Sequence, residues 1–107
     1  MKIATFNVNG VNGRIDLLLH WLEESRADVA CLQELKSPDE KFPAGAIKRT
    51  GYGAIWHGQP PWNGVAILAR GCEPIETRPC LPGDPEDAQA RYIQAAIKGG
   101  VIGCLYL

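Results

Sequence analysis

The sequence lacks a long apolar run, a leader-like start and a metal-chelating cysteine pattern. No apolar run approaches the roughly 20 residues that cross a membrane, and Met1–Phe6 has the pattern of a strand, not of a signal peptide. The four cysteines, at positions 31, 72, 80 and 104, are nowhere two or three positions apart, as they would be in a zinc knuckle. We therefore expect free thiols, with Cys31 and Cys104 in the core, in a cytoplasmic protein without a membrane partner.

The chain also lacks an excess of charge of one sign. Its 107 residues include 11 Lys and Arg and 12 Asp and Glu, which gives a formal net charge of −1. Proteins that bind nucleic acid through bulk charge are usually basic, whereas a nuclease that uses a local groove and a metal ion need not be. Charge therefore neither supports nor excludes DNA as a partner.

The first 34 residues have the pattern of a β–α–β unit. An apolar, β-prone run at Ile3–Phe6 ends in Asn7–Gly10, whose residue types favour tight turns. A helix is predicted over Arg14–Arg26 with Asn12 as its N-cap, because one face is apolar at Ile15, Leu18, Leu19 and Leu22. A second unbroken apolar strand, Val29–Leu32, follows, which favours a parallel pair covered on both faces.

Parallel strands place their C-terminal ends side by side. Asn7 ends the first predicted strand, and Gln33 and Glu34 end the second. Polar groups at that edge of an open α/β sheet are the usual place for a ligand site. We therefore expect Asn7 and Glu34 to lie close together.

The remainder of the chain predicts short strands, one short helix and turns. The helical piece is centred on Ala44–Lys48, and the strands are Tyr52–His57, Gly64–Arg70, Pro74–Arg78, Arg91–Lys98 and Val101–Leu107. Loops are predicted at Gly58–Asn63 and Leu81–Ala88, and a hairpin turn at Gly99–Gly100. One long helix is too little cover for six or seven strands of a layered α/β fold. We therefore expect residues 1–107 to be the N-terminal portion of a single larger domain.

Five segments in a characteristic order carry a family resemblance. They are Lys2–Gly10 (KIATFNVNG), Asp28–Lys36 (DVACLQELK), Gly64–Leu68 (GVAIL) preceded by Gly51-Tyr52 and His57–Gln59, Glu86–Ile93 (EDAQARYI), and Leu105–Leu107 (LYL). Together these segments resemble exonuclease III-type apurinic/apyrimidinic endonucleases, a branch of the endonuclease/exonuclease/phosphatase superfamily. The last segment resembles the start of that family's Tyr-x-Pro-Asn motif, and the whole chain is less than half of a typical member.

The resemblance implies a fold, a reaction and a cofactor. The fold would be α/β, an incomplete part of a two-sheet α/β sandwich of the DNase I-like kind. The reaction of the full-length parent would be hydrolysis of DNA phosphodiesters with Mg²⁺ or Mn²⁺, as an abasic-site endonuclease and a 3′–5′ exonuclease. Its partner would be double-stranded DNA with abasic sites or 3′ ends, and the parent is expected to be a monomer. Because further catalytic residues of the family come later in its sequences, we expect this fragment to be inactive alone.

The resemblance also assigns residues to the metal and to catalysis. Glu34 would bind the metal, since Mg²⁺ prefers oxygen ligands and keeps several waters. Asn7, as a neutral amide, would contact the metal or the scissile phosphate. Tyr106 would donate a hydrogen bond to a phosphoryl oxygen. Without the resemblance, Glu34 would be a surface charge at a strand end, Asn7 a turn residue, and Tyr106 an aromatic packed in a sheet.

Three further residues would contact nucleic acid. Arg91 would bind the DNA backbone as a bidentate phosphate donor, and Asn9 and Lys36 would contact the backbone from the loops at the site. The alternatives are a surface arginine on a strand for Arg91, a turn residue for Asn9, and a solvated surface lysine for Lys36.

Two other functions remain open from the sequence. Another branch of the same superfamily, such as a phosphatase acting on lipid or inositol phosphates, could use Glu34 in the same way. A truncated product without catalytic activity is the second alternative. Residues that would follow Tyr106 discriminate among these possibilities.

Overall fold

The computed structural model describes residues 1–58, 63–78 and 92–105 of the chain. In chain order its elements are β1 (Ile3–Asn7), α1 (Ile15–Ser25), β2 (Val29–Gln33), a 3₁₀ turn (Asp39–Lys41), α2 (Ala44–Arg49), β3 (Tyr52–His57), β4 (Val65–Arg70), β5 (Ile75–Arg78), β6 (Tyr92–Ile97) and β7 (Gly100–Leu105). Each helix and strand that the sequence predicts within these ranges is present, with each bound within two residues of the prediction.

The strands form two separate sheets. The first has the order β1-β2-β4-β3, in which β1 and β2 are parallel and the other neighbours are antiparallel. The second has the order β5-β6-β7 and is antiparallel throughout. The predicted parallel β–α–β unit is therefore confirmed, and so is the mixed α/β fold with two sheets.

Two apolar clusters cover the opposite faces of the first sheet. The central strands β2 and β4 are buried along nearly their whole length, because each is an unbroken apolar run with a layer on both faces. On one face, Leu18 and Leu22 of α1 pack against Leu32 and Leu68. On the other face the second sheet contributes Ile93, Ala95, Ile97 and Cys104. Along β6 the burial alternates, as expected for a strand with one covered face.

Asn12 does not cap α1, contrary to the sequence prediction. The N-cap residue is Arg14, which makes no side-chain capping hydrogen bond. The Nδ2 of Asn12 instead donates to the carbonyl oxygen of Lys41 at 3.1 Å and to Oγ of Ser37 at 3.2 Å. These hydrogen bonds to distant residues hold the Asn12 side chain, which therefore joins the start of α1 to the loop after β2.

The turn between β6 and β7 lies one residue earlier than predicted. Its central residues are Lys98 (φ 48°) and Gly99 (φ 83°), and Gly100 already pairs with Ile97. A two-residue hairpin turn with both central residues at positive φ matches the twist of the strands. The lysine therefore occupies a position that the sequence pattern assigned to glycine.

Four predicted features lie wholly or partly outside the described residues: most of the Gly58–Asn63 loop, the Leu81–Ala88 loop, the first residue of the Arg91–Lys98 strand and the end of the last strand at Tyr106–Leu107. In the described part of the chain, neither helix is long and apolar enough to cross a membrane.

Candidate active site

One edge of the first sheet collects the polar residues that the sequence singles out. Asn7 ends β1 and pairs in register with Gln33, which ends β2. Gln33 in turn pairs with Val65 at the start of β4, and Val65 pairs with His57 at the end of β3. The loops after β1 and β2 and the segment before β4 therefore meet at this edge, as the parallel pairing predicts.

The loops after β1 and β2 are joined by backbone hydrogen bonds beyond the sheet. The N–H groups of Val8, Gly10 and Val11 donate to the carbonyl oxygens of Gln33, Glu34 and Leu35 at 2.9, 2.8 and 2.9 Å. On the other side, the N–H groups of Leu35 and Lys36 donate to Gly64 and Asn63 at 3.2 and 2.9 Å. The segment that carries Glu34 is thus fixed from both sides, although it is not part of a strand.

Left-handed backbone is concentrated in these loops. Asn9, Glu34 and Lys36 have φ values of 47°, 56° and 51°. Asparagine adopts this conformation readily, but glutamate and lysine do so rarely. Such strain, on the order of 1 to 3 kcal/mol per residue, persists only where the surroundings fix the backbone, and it is common at functional sites.

Gly64 makes the close approach of β4 to this loop possible. Its φ is +116°, and a Cβ on this residue would lie 2.7 Å from Cβ of Leu35. Leu35 is fully buried in the core under the site and has no room to move away. The absence of a side chain at Gly64 therefore determines where Glu34 and Lys36 lie.

A chain of hydrogen bonds connects the polar side chains. Nζ of Lys36 donates to Oδ1 of Asn9 at 2.5 Å, and the backbone N–H of Asn9 donates to Oδ1 of Asn7 at 3.2 Å. Asn7 and Asn9 are exposed, whereas Glu34 and Lys36 are half-buried. The ammonium group is therefore anchored within the loop, and the Asn7 amide oxygen keeps a second lone pair for another ligand.

Of the six residues predicted to act at the site, four are placed together. Asn7 ends β1, and Asn9, Glu34 and Lys36 lie in the two joined loops that follow β1 and β2. Tyr106 and Arg91 lie outside the described residues. Sequence reasoning had assigned no positioning role to Gly64, although an isolated glycine directly before a strong strand is a signal of close backbone approach.

Gln33 is a second supporting residue that sequence reasoning missed. Its side-chain amide exchanges hydrogen bonds with Oγ1 of Thr5 at 2.9 and 3.1 Å. Its Nε2 also lies 3.2 Å from the carbonyl oxygen of Cys31 and 3.4 Å from Sγ of Cys104. Gln33 therefore ties the residue before Glu34 to β1 and to the second sheet.

The donor atoms at this edge suit a hard cation. Glu34 offers a carboxylate and Asn7 an amide oxygen, and Mg²⁺ and Mn²⁺ prefer oxygen ligands. Within residues 1–58, 63–78 and 92–105, no three His, Cys, Asp or Glu side chains cluster to hold a metal ion. The described residues thus fit such an ion as a partial ligand set, which suffices for Mg²⁺ when waters or substrate oxygens complete it.

The sequence pattern of the Endonuclease/Exonuclease/phosphatase family matches residues 4–100. The chain belongs to this family. The resemblance carried by the five segments is thereby confirmed, and the match spans both joined loops. The family is divalent-metal-dependent, in agreement with the oxygen donors of Asn7 and Glu34.

Three relatives show which members of the family this chain is similar to. It is 41% identical over 98 residues to exodeoxyribonuclease III of Haemophilus influenzae, covering 92% of this chain and 36% of that protein. It superimposes with a TM-score of 0.92 on the 3′ phosphatase NExo from Neisseria bound to a product DNA hairpin, at 39% identity, covering 99% of this chain and 41% of NExo. For an AP endonuclease from Archaeoglobus fulgidus the TM-score is 0.90 at 38% identity, covering 99% and 40%. The chain spans about two fifths or less of these relatives.

Proposed function

We propose that this chain is the N-terminal portion of a single endonuclease/exonuclease/phosphatase domain in a longer parent that is a DNA-repair nuclease. The parent would hydrolyse DNA phosphodiesters at abasic sites and at 3′ ends. One observation carries the proposal: the joined loops bring Asn7 and Glu34 to one sheet edge in a fold shared with DNA-repair enzymes. We further propose that the parent is monomeric and cytoplasmic.

Glu34 and Asn7 are the proposed metal ligands. A bound Mg²⁺ or Mn²⁺ would neutralise the charge that develops on the phosphate during hydrolysis. The backbone hydrogen bonds on both sides of Glu34 fix the segment that carries its carboxylate, so that little backbone reorganisation is needed when the metal and the phosphate bind. Asn7 adds a neutral oxygen, which leaves more of the cation's charge available to the phosphate.

Lys36 and Asn9 are the proposed contacts to the DNA backbone. An ammonium group has three donors, and Lys36 uses one of them on Asn9. The remaining donors are available to phosphate oxygens, and the bond to Asn9 reduces the rotamer entropy that a free lysine would lose on binding.

Tyr106 and Arg91 complete the proposal on the strength of their motifs. The phenol of Tyr106 would donate to a phosphoryl oxygen. Arg91 would bind a backbone phosphate with two parallel hydrogen bonds. Both assignments concern residues outside the described ranges and follow from the family segments Glu86–Ile93 and Leu105–Leu107.

The test is cleavage of a labelled duplex with a single abasic site by the parent protein. We expect a nick on the 5′ side of the abasic site in Mg²⁺, none after chelation by EDTA, and 3′–5′ trimming of an undamaged duplex. The same parent should release no phosphate from inositol phosphates, which separates the nuclease from the phosphatase branch. The 107-residue chain alone should give no nick above background. Release of inorganic phosphate from inositol phosphates without any DNA cleavage would contradict the proposal.

A further inference from the structure

Two cysteines from different sheets meet in the core behind the candidate active site. Cys31 lies on β2 and Cys104 on β7, and they are 7% and 2% exposed. Their thiols are hydrogen-bonded to each other, although they are far apart in the sequence. The third free cysteine of the described residues, Cys72, follows the far end of β4 and is half-buried.

The hydrogen bonds of this pair distinguish its two members. Sγ of Cys104 lies 3.3 Å from the carbonyl oxygen of Leu32 and receives Nε2 of Gln33 at 3.4 Å. The hydrogen bond with Cys31 lowers the pKa of the Cys104 thiol, and Gln33 adds to this effect. The same hydrogen bond, with burial, raises the pKa of Cys31. Burial opposes the lowering of the Cys104 pKa, but the Gln33 N–H that points at its sulfur makes Cys104 the member that loses its proton more readily.

A small molecule can reach the pair from solvent. A cleft of about 350 Å³ between β1 and β7 is lined by both cysteines and by Gln33. Its mouth is formed by exposed residues of the two strands, Ile3, Thr5 and Leu105. A cleft of this volume admits a molecule as small as hydrogen peroxide.

The packing of β2 and β7 is compatible with a covalent link. A disulfide requires Cα atoms within about 7 Å of each other. Strands β2 and β7 pack against each other, and the Cys104 sulfur contacts the backbone of β2 at Leu32, the residue after Cys31. The two side chains share one buried cluster and one cleft, so a disulfide between them would join the two sheets.

We propose that Cys31 and Cys104 are a redox-active dithiol that hydrogen peroxide converts into a disulfide joining the two sheets. The Cys104 thiolate attacks one peroxide oxygen, the O–O bond breaks, and the departing hydroxide takes the proton released from Cys104 and becomes water. The Cys31 sulfur then attacks the sulfenic acid on Cys104, the S–S bond forms and the S–O bond breaks. Hydroxide leaves with the Cys31 proton as a second water. The two sulfurs lose two electrons, which reduce both peroxide oxygens to water.

Peptide mapping of the 107-residue chain tests this pairing. The chain is treated with hydrogen peroxide in native buffer, alkylated and digested with trypsin without reduction. Cys31 lies on peptide 27–36 and Cys104 on peptide 99–107, while Cys72 and Cys80 share peptide 71–91 because trypsin does not cleave before proline. We expect peptides 27–36 and 99–107 to be cross-linked, with the loss of two hydrogen atoms, and peptide 71–91 to carry no link to either.

Variants and denaturant provide the controls. Cys31→Ser should stop the reaction at a Cys104 sulfenic acid that dimedone traps, whereas Cys104→Ser should leave Cys31 unmodified at the same peroxide dose. A double variant, Cys72→Ser with Cys80→Ser, should cross-link as the unchanged chain does. In urea, links to peptide 71–91 should appear. A native pattern identical to the pattern in urea, or Cys104 trapped as sulfenic acid while Cys31 is still present, would overturn the proposal.

Discussion

Replacing Gly64 by alanine tests whether the segment before β4 positions the candidate active site. Gly64 has a φ of +116°, and the new Cβ would lie 2.7 Å from Cβ of Leu35 and 3.2 Å from its backbone nitrogen. Backbone strain at this φ costs about 1 to 3 kcal/mol. Forcing a methyl group against a buried leucine costs about 1 to 3 kcal/mol more. We therefore expect the free energy of unfolding to fall by about 2 to 6 kcal/mol, a large share of the 5 to 15 kcal/mol that is typical of a domain.

Gly71→Ala is the matched control. Gly71 also has a positive φ, +78°, but an added Cβ would meet no atom within 4 Å. This variant should therefore lose only the strain contribution of about 1 to 3 kcal/mol. The difference between the two variants measures the clash with Leu35.

Urea unfolding followed by tryptophan fluorescence gives the free energy of unfolding of both variants in the 107-residue chain. Metal titration gives the Mg²⁺ dependence of cleavage for the same variants of the parent. Because the Leu35 N–H donates to the Gly64 carbonyl oxygen at 3.2 Å, the clash must displace the segment that carries Glu34. Gly64→Ala in the parent should therefore require a higher Mg²⁺ concentration for half-maximal cleavage, while Gly71→Ala should not. Equal stability losses for the two variants, with unchanged metal dependence, would refute the positioning role of Gly64.

Three further variants test the fold and the DNA contacts. Tyr52→Phe removes a buried hydroxyl that donates to the Ala27 carbonyl oxygen at 2.7 Å, so the free energy of unfolding in urea should fall by about 1 to 3 kcal/mol; an unchanged urea midpoint would contradict this. The Asp28 carboxylate accepts a hydrogen bond from the backbone of Lys2 and another from Arg70, and the Lys2 bond, followed by Arg70, lowers its pKa. Its contribution to stability is therefore present above about pH 4, the usual value for aspartate, and is lost as pH falls through the folded pKa. Asp28→Asn should flatten this acid-side loss in unfolding curves recorded between pH 5 and pH 2, and an unchanged slope would exclude the contribution. In the parent, Lys36→Gln should reduce the slope of log affinity for duplex DNA against log salt by about one, whereas Lys48→Gln on the exposed face of α2 should leave it unchanged; equal slopes for both would remove Lys36 from the DNA contacts.

The β–α–β start of the chain was predictable because its determinants are local. The apolar spacing of α1 and the unbroken apolar runs of β1 and β2 each specify one element, and their order specifies a parallel pair. The expectation that Asn7 and Glu34 lie close together rests on that pairing, and the register Asn7–Gln33 places both residues at the same edge of the sheet.

The remaining sheet order depends on interactions between distant residues and could not be predicted from the sequence. β4 inserts between β2 and β3, and β5, β6 and β7 form a sheet of their own. No local pattern distinguishes these pairings from a continuous meander, because alternating apolar residues favour any antiparallel neighbour. The same limitation explains why the prediction of Asn12 as the N-cap of α1 was wrong. Its hydrogen-bond acceptors, Ser37 and Lys41, come after β2 in the sequence.

The details of the candidate site were also beyond sequence reasoning. Glu34 and Lys36 adopt a left-handed backbone that their residue types rarely take, and hydrogen bonds from both neighbouring segments help to hold them there. The anchoring of Lys36 on Asn9 likewise requires both loops to be in place. Gly64 was the one local signal in the sequence. Its importance depends on the close contact with Leu35, which the sequence does not reveal.

Metal titration of the Glu34→Gln variant of the parent protein tests the central claim most directly. Glutamine keeps the shape of the side chain and removes the charge that would hold the cation. Cleavage of the abasic-site duplex is measured against Mg²⁺ concentration, with Glu24→Gln on the exposed face of α1 as the matched control. We predict that Glu34→Gln lowers the maximal rate by about 100-fold or more, in line with the loss of a group that stabilises transition-state charge, and shifts half-saturation to higher Mg²⁺. Glu24→Gln should change neither quantity. A Glu34→Gln protein with the rate and metal dependence of the unchanged parent would contradict the assignment of Glu34 to the metal.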